Sequence, residues 1–99
     1  MYKKIDLNTI KMINLFEIFE NHFGMEYNKK KSSKYGRYYK GQFGRFWVRY
    51  DYNTGKYFYT SLDNNYDKGT IIDFIQNNII KEKNIGKVIK YLKENKIIQ

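Results

Sequence analysis

Apolar residues near the start of the chain recur at helical spacing. Four of them share one face at steps of four, three and four positions: Met12, Phe16, Phe19 and Phe23. Asn8 or Thr9 can cap such a helix, and Gly24 tolerates the left-handed conformation that often follows a helix end. The pattern predicts one helix that begins after this cap, ends before Gly24 and turns its apolar face to the core.

Beyond Gly24 the period changes to two, which is typical of a strand. One set of alternate side chains faces the core, and the other set faces outward and consists of Arg45, Trp47 and Arg49. Gly55 suits a three-residue hairpin loop with a bulge, which pairs position 50 with 58, 48 with 60 and 46 with 62. Tyr57 and Tyr59 then lie outside with Trp47, while Phe58 and Leu62 lie inside. A shift of one residue would exchange Phe58 for the two tyrosines.

The remaining segments complete the predicted architecture. Residues 34–40 form the preceding strand, and residues 29–33 form a mobile basic loop. Thr70 with Asp73 resembles a capping box at the start of an apolar helix, and Asn84 can cap a final helix. The sequence therefore predicts a single α+β domain over residues 1–99. It has an N-terminal helix, a small antiparallel sheet of three or four strands, and two C-terminal helices packed on one face.

Positive charge is concentrated in the middle of the chain. Of a net charge of +9, eight arise between residues 28 and 60, which also hold eleven of the nineteen aromatic residues. An AT-rich genome enriches Lys, Asn, Ile and Tyr whatever the function, but it does not explain why Asp51 is the only acid in this stretch. Cations beside flat rings are what single-stranded nucleic acid binding requires.

Several classes of function are disfavoured by the residues that the chain lacks. Without cysteine there are no disulfides or thiolate metal sites, and His22 has no ligand partner at metal-binding spacing. Asp63, Asp67 and Asp73 fit loop and helix-cap roles better than a cation site. We expect no catalysis, metal or cofactor. No apolar run suits a signal peptide or a membrane span, so a cytoplasmic protein that does not contact membranes is expected.

Residues 57–76 carry a family resemblance. An aromatic strand runs through a loop into Gly69-Thr-Ile-Ile-Asp-Phe74, which resembles the segment that closes the primase-type zinc-binding domain. The chain is similar to the cysteine-free relatives that precede toprim domains in replication or mobilisation proteins of plasmids, phages and other mobile elements. The similarity extends over about residues 10–92, and its specific part is Gly69 to Gln76. It implies a DNA-contacting accessory domain without zinc and without the catalytic toprim domain.

The pattern of cations and rings and the family resemblance together predict a non-catalytic domain that binds nucleic acid during replication or transfer of a mobile element. Single-stranded DNA is favoured over RNA. The residues predicted to bind are Lys29, Lys30, Lys31, Lys34, Arg37, Lys40, Arg45, Trp47, Arg49, Tyr57 and Tyr59. The alternative is a small phage- or plasmid-encoded module that inhibits a host nucleoprotein enzyme such as a CRISPR effector. Tyr and Arg on an open sheet face suit a protein partner as well, whether a replication, mobilisation or CRISPR protein.

Overall fold

The protein is described over residues 6–99 by a computed structural model. Helices and strands follow one another as helix, sheet, helix. In chain order they are α1 (Leu7–Lys11), α2 (Leu15–Glu17) with a π-helical turn (Ile18–His22), β1 (Glu26–Ser33), β2 (Gly36–Gly41), β3 (Gly44–Asp51), β4 (Lys56–Ser61), β5 (Lys68–Gly69), α3 (Ile71–Asn78) and α4 (Ile85–Glu94). The α+β class predicted from the sequence is confirmed.

The N-terminal helical region is divided where one helix was predicted. Asn14 interrupts it, because its side-chain oxygen accepts hydrogen bonds from the backbone amides of Phe16 (3.0 Å) and Glu17 (3.2 Å) and so begins a second helix. The change of direction leaves Met12 half exposed, although it belonged to the predicted apolar stripe. Phe19, by contrast, is fully buried as predicted.

The sheet has five strands, more than the three or four predicted, in the order β1-β2-β3-β4-β5 with antiparallel neighbours. Residues 29–33 were predicted as a loop, and this is wrong because they lie in β1.

The pairing of β1 with β2 is irregular between Asn28 and Ser33. There the hydroxyl of Ser32 donates to the carbonyl of Asn28 (2.7 Å) and accepts from the amide of Tyr38 (2.8 Å). This side chain bridges the two strands where regular pairing is absent.

The register of the hairpin between β3 and β4 differs by one residue from the prediction. Val48 lies opposite Tyr59 and Tyr50 opposite Tyr57, so the connecting loop has four residues, 52–55. Asp51 organises this loop, because its carboxylate accepts from the Thr54 hydroxyl (2.8 Å) and from the amide of residue 53 (3.1 Å). The Thr54 hydrogen bond, followed by the backbone one, lowers the pKa of Asp51.

The shift exchanges the two sides of β4. Tyr57 and Tyr59 were predicted to lie on the outer face, and this is wrong because both face the helices. Phe58 was predicted to be inside but lies opposite Arg49 on the outer face, and Leu62 is exposed. Because side chains alternate along a strand, one residue of shift moves every side chain of β4 to the other face.

The core is a cluster of rings between the helices and one face of the sheet. Phe74 of α3 lies at its centre, with its ring centroid 4.7 Å from that of Phe19, 5.2 Å from Tyr59 and 5.4 Å from Phe46. Val48 completes the buried surface of β3. Such edge-to-face and tilted contacts contribute about 0.5–1.5 kcal/mol per pair beyond the burial of area.

The C-terminal helices begin where the sequence predicted. The backbone amide of Thr70 donates to the carboxylate of Asp73 (2.8 Å), and Asn84 accepts from the amide of Lys87 (3.1 Å). Gly69 has a φ of +136°, and a Cβ at this position would collide with the Asp73 carboxylate. Glycine therefore allows β5 to turn directly into α3. No helix within residues 6–99 is long and apolar enough to cross a membrane.

Candidate nucleic-acid interface

The face of the sheet opposite the core carries rings and cations together. We call it the open face and define it by Tyr38, Lys40, Arg45, Trp47, Arg49 and Phe58. None of them belongs to the core cluster under the helices, but Tyr38 is itself buried. Trp47 lies opposite Tyr38 on β2 and opposite Thr60 on β4, so it occupies the middle of the face. Arg45 and Arg49 lie two residues to either side of it on β3, and both are exposed.

Trp47 is partly buried against the backbone and is not part of the core. A Cβ added at Gly36 would lie 2.5 Å from Cε2 of the indole, which is closer than atoms can approach. Gly36 therefore allows the indole to lie against the start of β2. This contact holds the ring in place on the open face without burying it under the helices.

Two other rings of the open face lie beneath cations. The guanidinium carbon of Arg49 lies 4.8 Å from the centroid of Phe58, and the ammonium of Lys31 lies 4.8 Å from the centroid of Tyr38. Both distances are within the range for cation–π attraction, about 6 Å. Both cations are thus held above the sheet surface, and both are exposed.

Arg45 is the one cation of the open face with a carboxylate partner within residues 6–99. Its Nη2 and Nε donate to Asp63 at 2.7 Å and 3.0 Å, and its backbone amide donates to the same carboxylate at 2.8 Å. The hydrogen bonds from the Arg45 side chain and backbone lower the pKa of Asp63, so the pair stays ionised below the usual range of a carboxylate. Asp63 positions Arg45 and also neutralises part of its charge.

Three of the predicted binding residues lie on the helix side of the sheet. Tyr59 is buried, and its hydroxyl donates to Asp67 at 2.5 Å. Burial, and then this hydrogen bond, raise the pKa of Tyr59. Tyr57 packs edge-on against Phe16 with centroids 5.3 Å apart. Arg37 is the third. The predicted outer-face positions of Tyr57 and Tyr59 are wrong, whereas Arg37 was predicted to bind without being assigned to a face.

Arg37 is held among side chains of the helix side. Its guanidinium carbon lies 4.3 Å from the centroid of Phe16 and 4.9 Å from that of Tyr27, and its Nη1 donates to Glu20 at 3.1 Å. Glu20 also accepts a hydrogen bond of 2.5 Å from the hydroxyl of Tyr39. Burial is the largest cause that raises the pKa of Tyr39, followed by this hydrogen bond.

The predicted lysines lie in the first two strands of the sheet and in the turn between them, and all are exposed. Lys29, Lys30 and Lys31 belong to β1, Lys34 lies in the turn that follows, and Lys40 lies in β2. Phe58 and Tyr38, whose rings lie on the open face, were not among the predicted binding residues. The hairpin register shifted by one residue, given above as the alternative, would have placed Phe58 on the outer face in exchange for Tyr57 and Tyr59.

The titratable residues do not assemble a metal centre in the part of the chain that the structure describes, where no three His, Asp or Glu side chains come together. His22 has a structural contact: its Nε2 is 2.8 Å from the hydroxyl of Tyr91 on α4. This hydrogen bond joins the π-helical turn to the last helix.

Comparisons with protein-family models, curated proteins and solved structures found no match to this chain. The resemblance to the primase-type domain therefore stays a prediction.

Proposed function

We propose that the protein is a non-catalytic domain that binds single-stranded nucleic acid, with DNA as the favoured form, through the open face. The observation that carries the proposal is the position of Trp47, a ring on the sheet surface with Arg45 and Arg49 on either side. Stacking of bases on such rings is tolerant of sequence, since every base has a π face, and the cations neutralise the phosphates.

The biological setting of this proposal comes from the family resemblance. The Gly69 to Gln76 segment supports an accessory role in replication or transfer of a mobile element. In the structure this segment forms the turn from β5 into α3, and it sets the position of a core helix.

A protein partner is the second candidate, and one observation favours it. Asp63 already binds Arg45, and Glu26 lies opposite Lys40, so carboxylates are interspersed with the cations. Mixed charge around a tryptophan and two arginines is suited to a protein interface. This candidate is the inhibitory module that docks on a nucleoprotein enzyme.

Trp47 provides the readout for the first test, because it is the only tryptophan in the chain. Titration with an oligothymidylate of about ten nucleotides should quench its fluorescence to saturation if bases stack on the indole. With a labelled oligonucleotide, Trp47→Ala should weaken binding about 5- to 100-fold, which corresponds to the loss of one stacked base. Tyr66→Ala is the matched control, since it removes an exposed ring from the loop between β4 and β5.

Salt dependence supplies the second test of the same proposal. Lys31, Lys40 and Arg49, with the partly neutralised Arg45, offer about three to four phosphate contacts. At about −0.7 per contact, log affinity should fall with log salt at a slope of about −2 to −3. A flat salt dependence, or no quenching of Trp47 fluorescence on addition of the oligonucleotide, would reject the proposal. Tight capture of one protein with no oligonucleotide binding would favour the second candidate.

A further inference from the structure

A second group of rings and cations lies at one end of the sheet, on the side of the helices. The turn between β1 and β2 and the turn between β3 and β4 meet at this end, and a cleft of about 280 Å³ lies between them. We call it the turn cleft, and its lining includes Phe16, Tyr27, Lys34, Tyr35, Arg37 and Tyr52.

Two tyrosines at the mouth of the turn cleft have exposed side chains. Tyr52 is 86% exposed and Tyr35 is 73% exposed, and neither belongs to the core cluster. The ring of Tyr52 packs edge-on against Tyr50 with centroids 4.9 Å apart, which orients it beside the cleft. These rings present flat apolar surface to a ligand, and because they are not core residues their use in binding does not disturb core packing.

Cations accompany these rings. The ammonium of Lys34 lies 5.1 Å from the centroid of Tyr35, and within residues 6–99 it forms no ion pair. Arg37 is fixed in the cleft by Glu20 and by the rings beneath it. Two cations and one carboxylate leave the cleft positive, which favours an anionic ligand.

Gly36 connects the turn cleft to the open face. It lines the cleft, and Trp47 lies against the same glycine from the open face. A nucleic-acid strand stacked on Trp47 is therefore separated from the cleft only by the backbone at Gly36, at the end of the sheet where β1 turns into β2.

We propose that the turn cleft is a second base subsite, which receives one nucleotide of the same single strand after that strand passes from the open face around the end of β2. The base stacks on the tyrosines, and its phosphate lies near Lys34 and Arg37. The volume lies below the range of about 300–1,000 Å³ that is typical of small-molecule sites, so the cleft has room for no more than one nucleotide. This inference rests on the proposed function of the open face.

The test compares oligothymidylates of about four and about twelve nucleotides, lengths that span the site sizes of small sheet-based binders. The variant is Tyr35→Ala with Tyr52→Ala, since both side chains are exposed in turns and Trp47 stays available as the fluorescent reporter. Tyr66→Ala again serves as the control.

We expect the double variant to bind the short oligonucleotide as the unmodified protein does, and the long one about tenfold more weakly. Equal affinities of the double variant and the unmodified protein for the long oligonucleotide would overturn the subsite and leave the open face intact. Equal weakening for both lengths would also overturn it, because the cleft would then not be a separate subsite. Absence of quenching by either length in the unmodified protein would overturn both proposals.

Discussion

The two faces of the sheet use the same kinds of side chain in opposite ways. On the helix side the buried hydroxyl of Tyr59 donates to Asp67, and that of Tyr39 donates to Glu20. On the open face the ring of Phe58 lies under Arg49, and that of Tyr38 lies under Lys31. Buried tyrosine hydroxyls are paired with carboxylates on the helix side, where Arg37 also lies over rings, whereas on the open face the rings lie under cations.

The difference follows from access to water. A hydroxyl removed from water must find an acceptor, and a carboxylate is a strong one. On the open face the cations stay hydrated while they cover ring surface. The number of aromatic residues in a segment therefore does not locate a binding site, because many of those rings form the core.

The largest effect on stability should come from the loss of a buried ring of β3. Phe46→Ala should lower the free energy of unfolding by about 3–5 kcal/mol, because it opens a cavity among Phe19, Tyr59 and Phe74. Trp47→Ala, one residue along β3, should cost only about 1 kcal/mol through lost cross-strand packing. Urea denaturation followed by circular dichroism measures both. The reverse order would show that the two faces are assigned backwards.

A smaller effect should follow from the buried tyrosine pairs. Tyr59→Phe should cost about 1–3 kcal/mol, because Asp67 loses a donor in a buried setting. Tyr66→Phe, at an exposed position, is the control.

The same tyrosine predicts a dependence of stability on alkaline pH. Because the pKa of Tyr59 is raised in the folded state, the unfolded chain releases this proton first as the pH rises above about 10. The free energy of unfolding should therefore fall above that pH, and less steeply in Tyr59→Phe. Identical slopes in urea melts of the two proteins between neutral and alkaline pH would contradict this.

On the open face, removal of a carboxylate charge should increase the affinity for an oligonucleotide. Asp63→Asn removes the charge that partly neutralises Arg45, so we expect roughly two- to fivefold tighter binding of an oligonucleotide at low salt. The salt slope should become steeper by up to about 0.7, the contribution of one phosphate contact. Glu82→Gln makes the same change in net charge away from the open face, at the partner of Lys87. Equal gains in both variants would mean that only net charge matters.

No effect is expected from metal removal. Ring packing and hydrogen bonds stabilise the fold, and the His22 imidazole is hydrogen-bonded to Tyr91. Thermal melts with and without a strong chelator should therefore give the same midpoint. A marked drop would indicate a metal contribution that neither face of the sheet accounts for.

Local features of this fold could be predicted from the sequence because they involve neighbouring residues. Thr70 with Asp73, and Asn84 with the amide three residues later, form caps within a single helical turn. The division at Asn14 is also local, but the apolar stripe that continues past it obscured the signal. β1 was missed because its lysines and serines do not alternate with apolar residues.

For the candidate site, the sequence by itself determined that cations and rings share residues 28–60 and that Arg45, Trp47 and Arg49 lie on one side of β3, since alternation is a property of any strand. Only the tertiary structure decided which rings join them. β4 is shifted by one position from the predicted register, and a four-residue loop held by Asp51 connects it to β3. The core then accepts Tyr59 with its hydroxyl on Asp67 and leaves Phe58 under Arg49. Such a register depends on contacts between distant residues, which a local pattern does not contain.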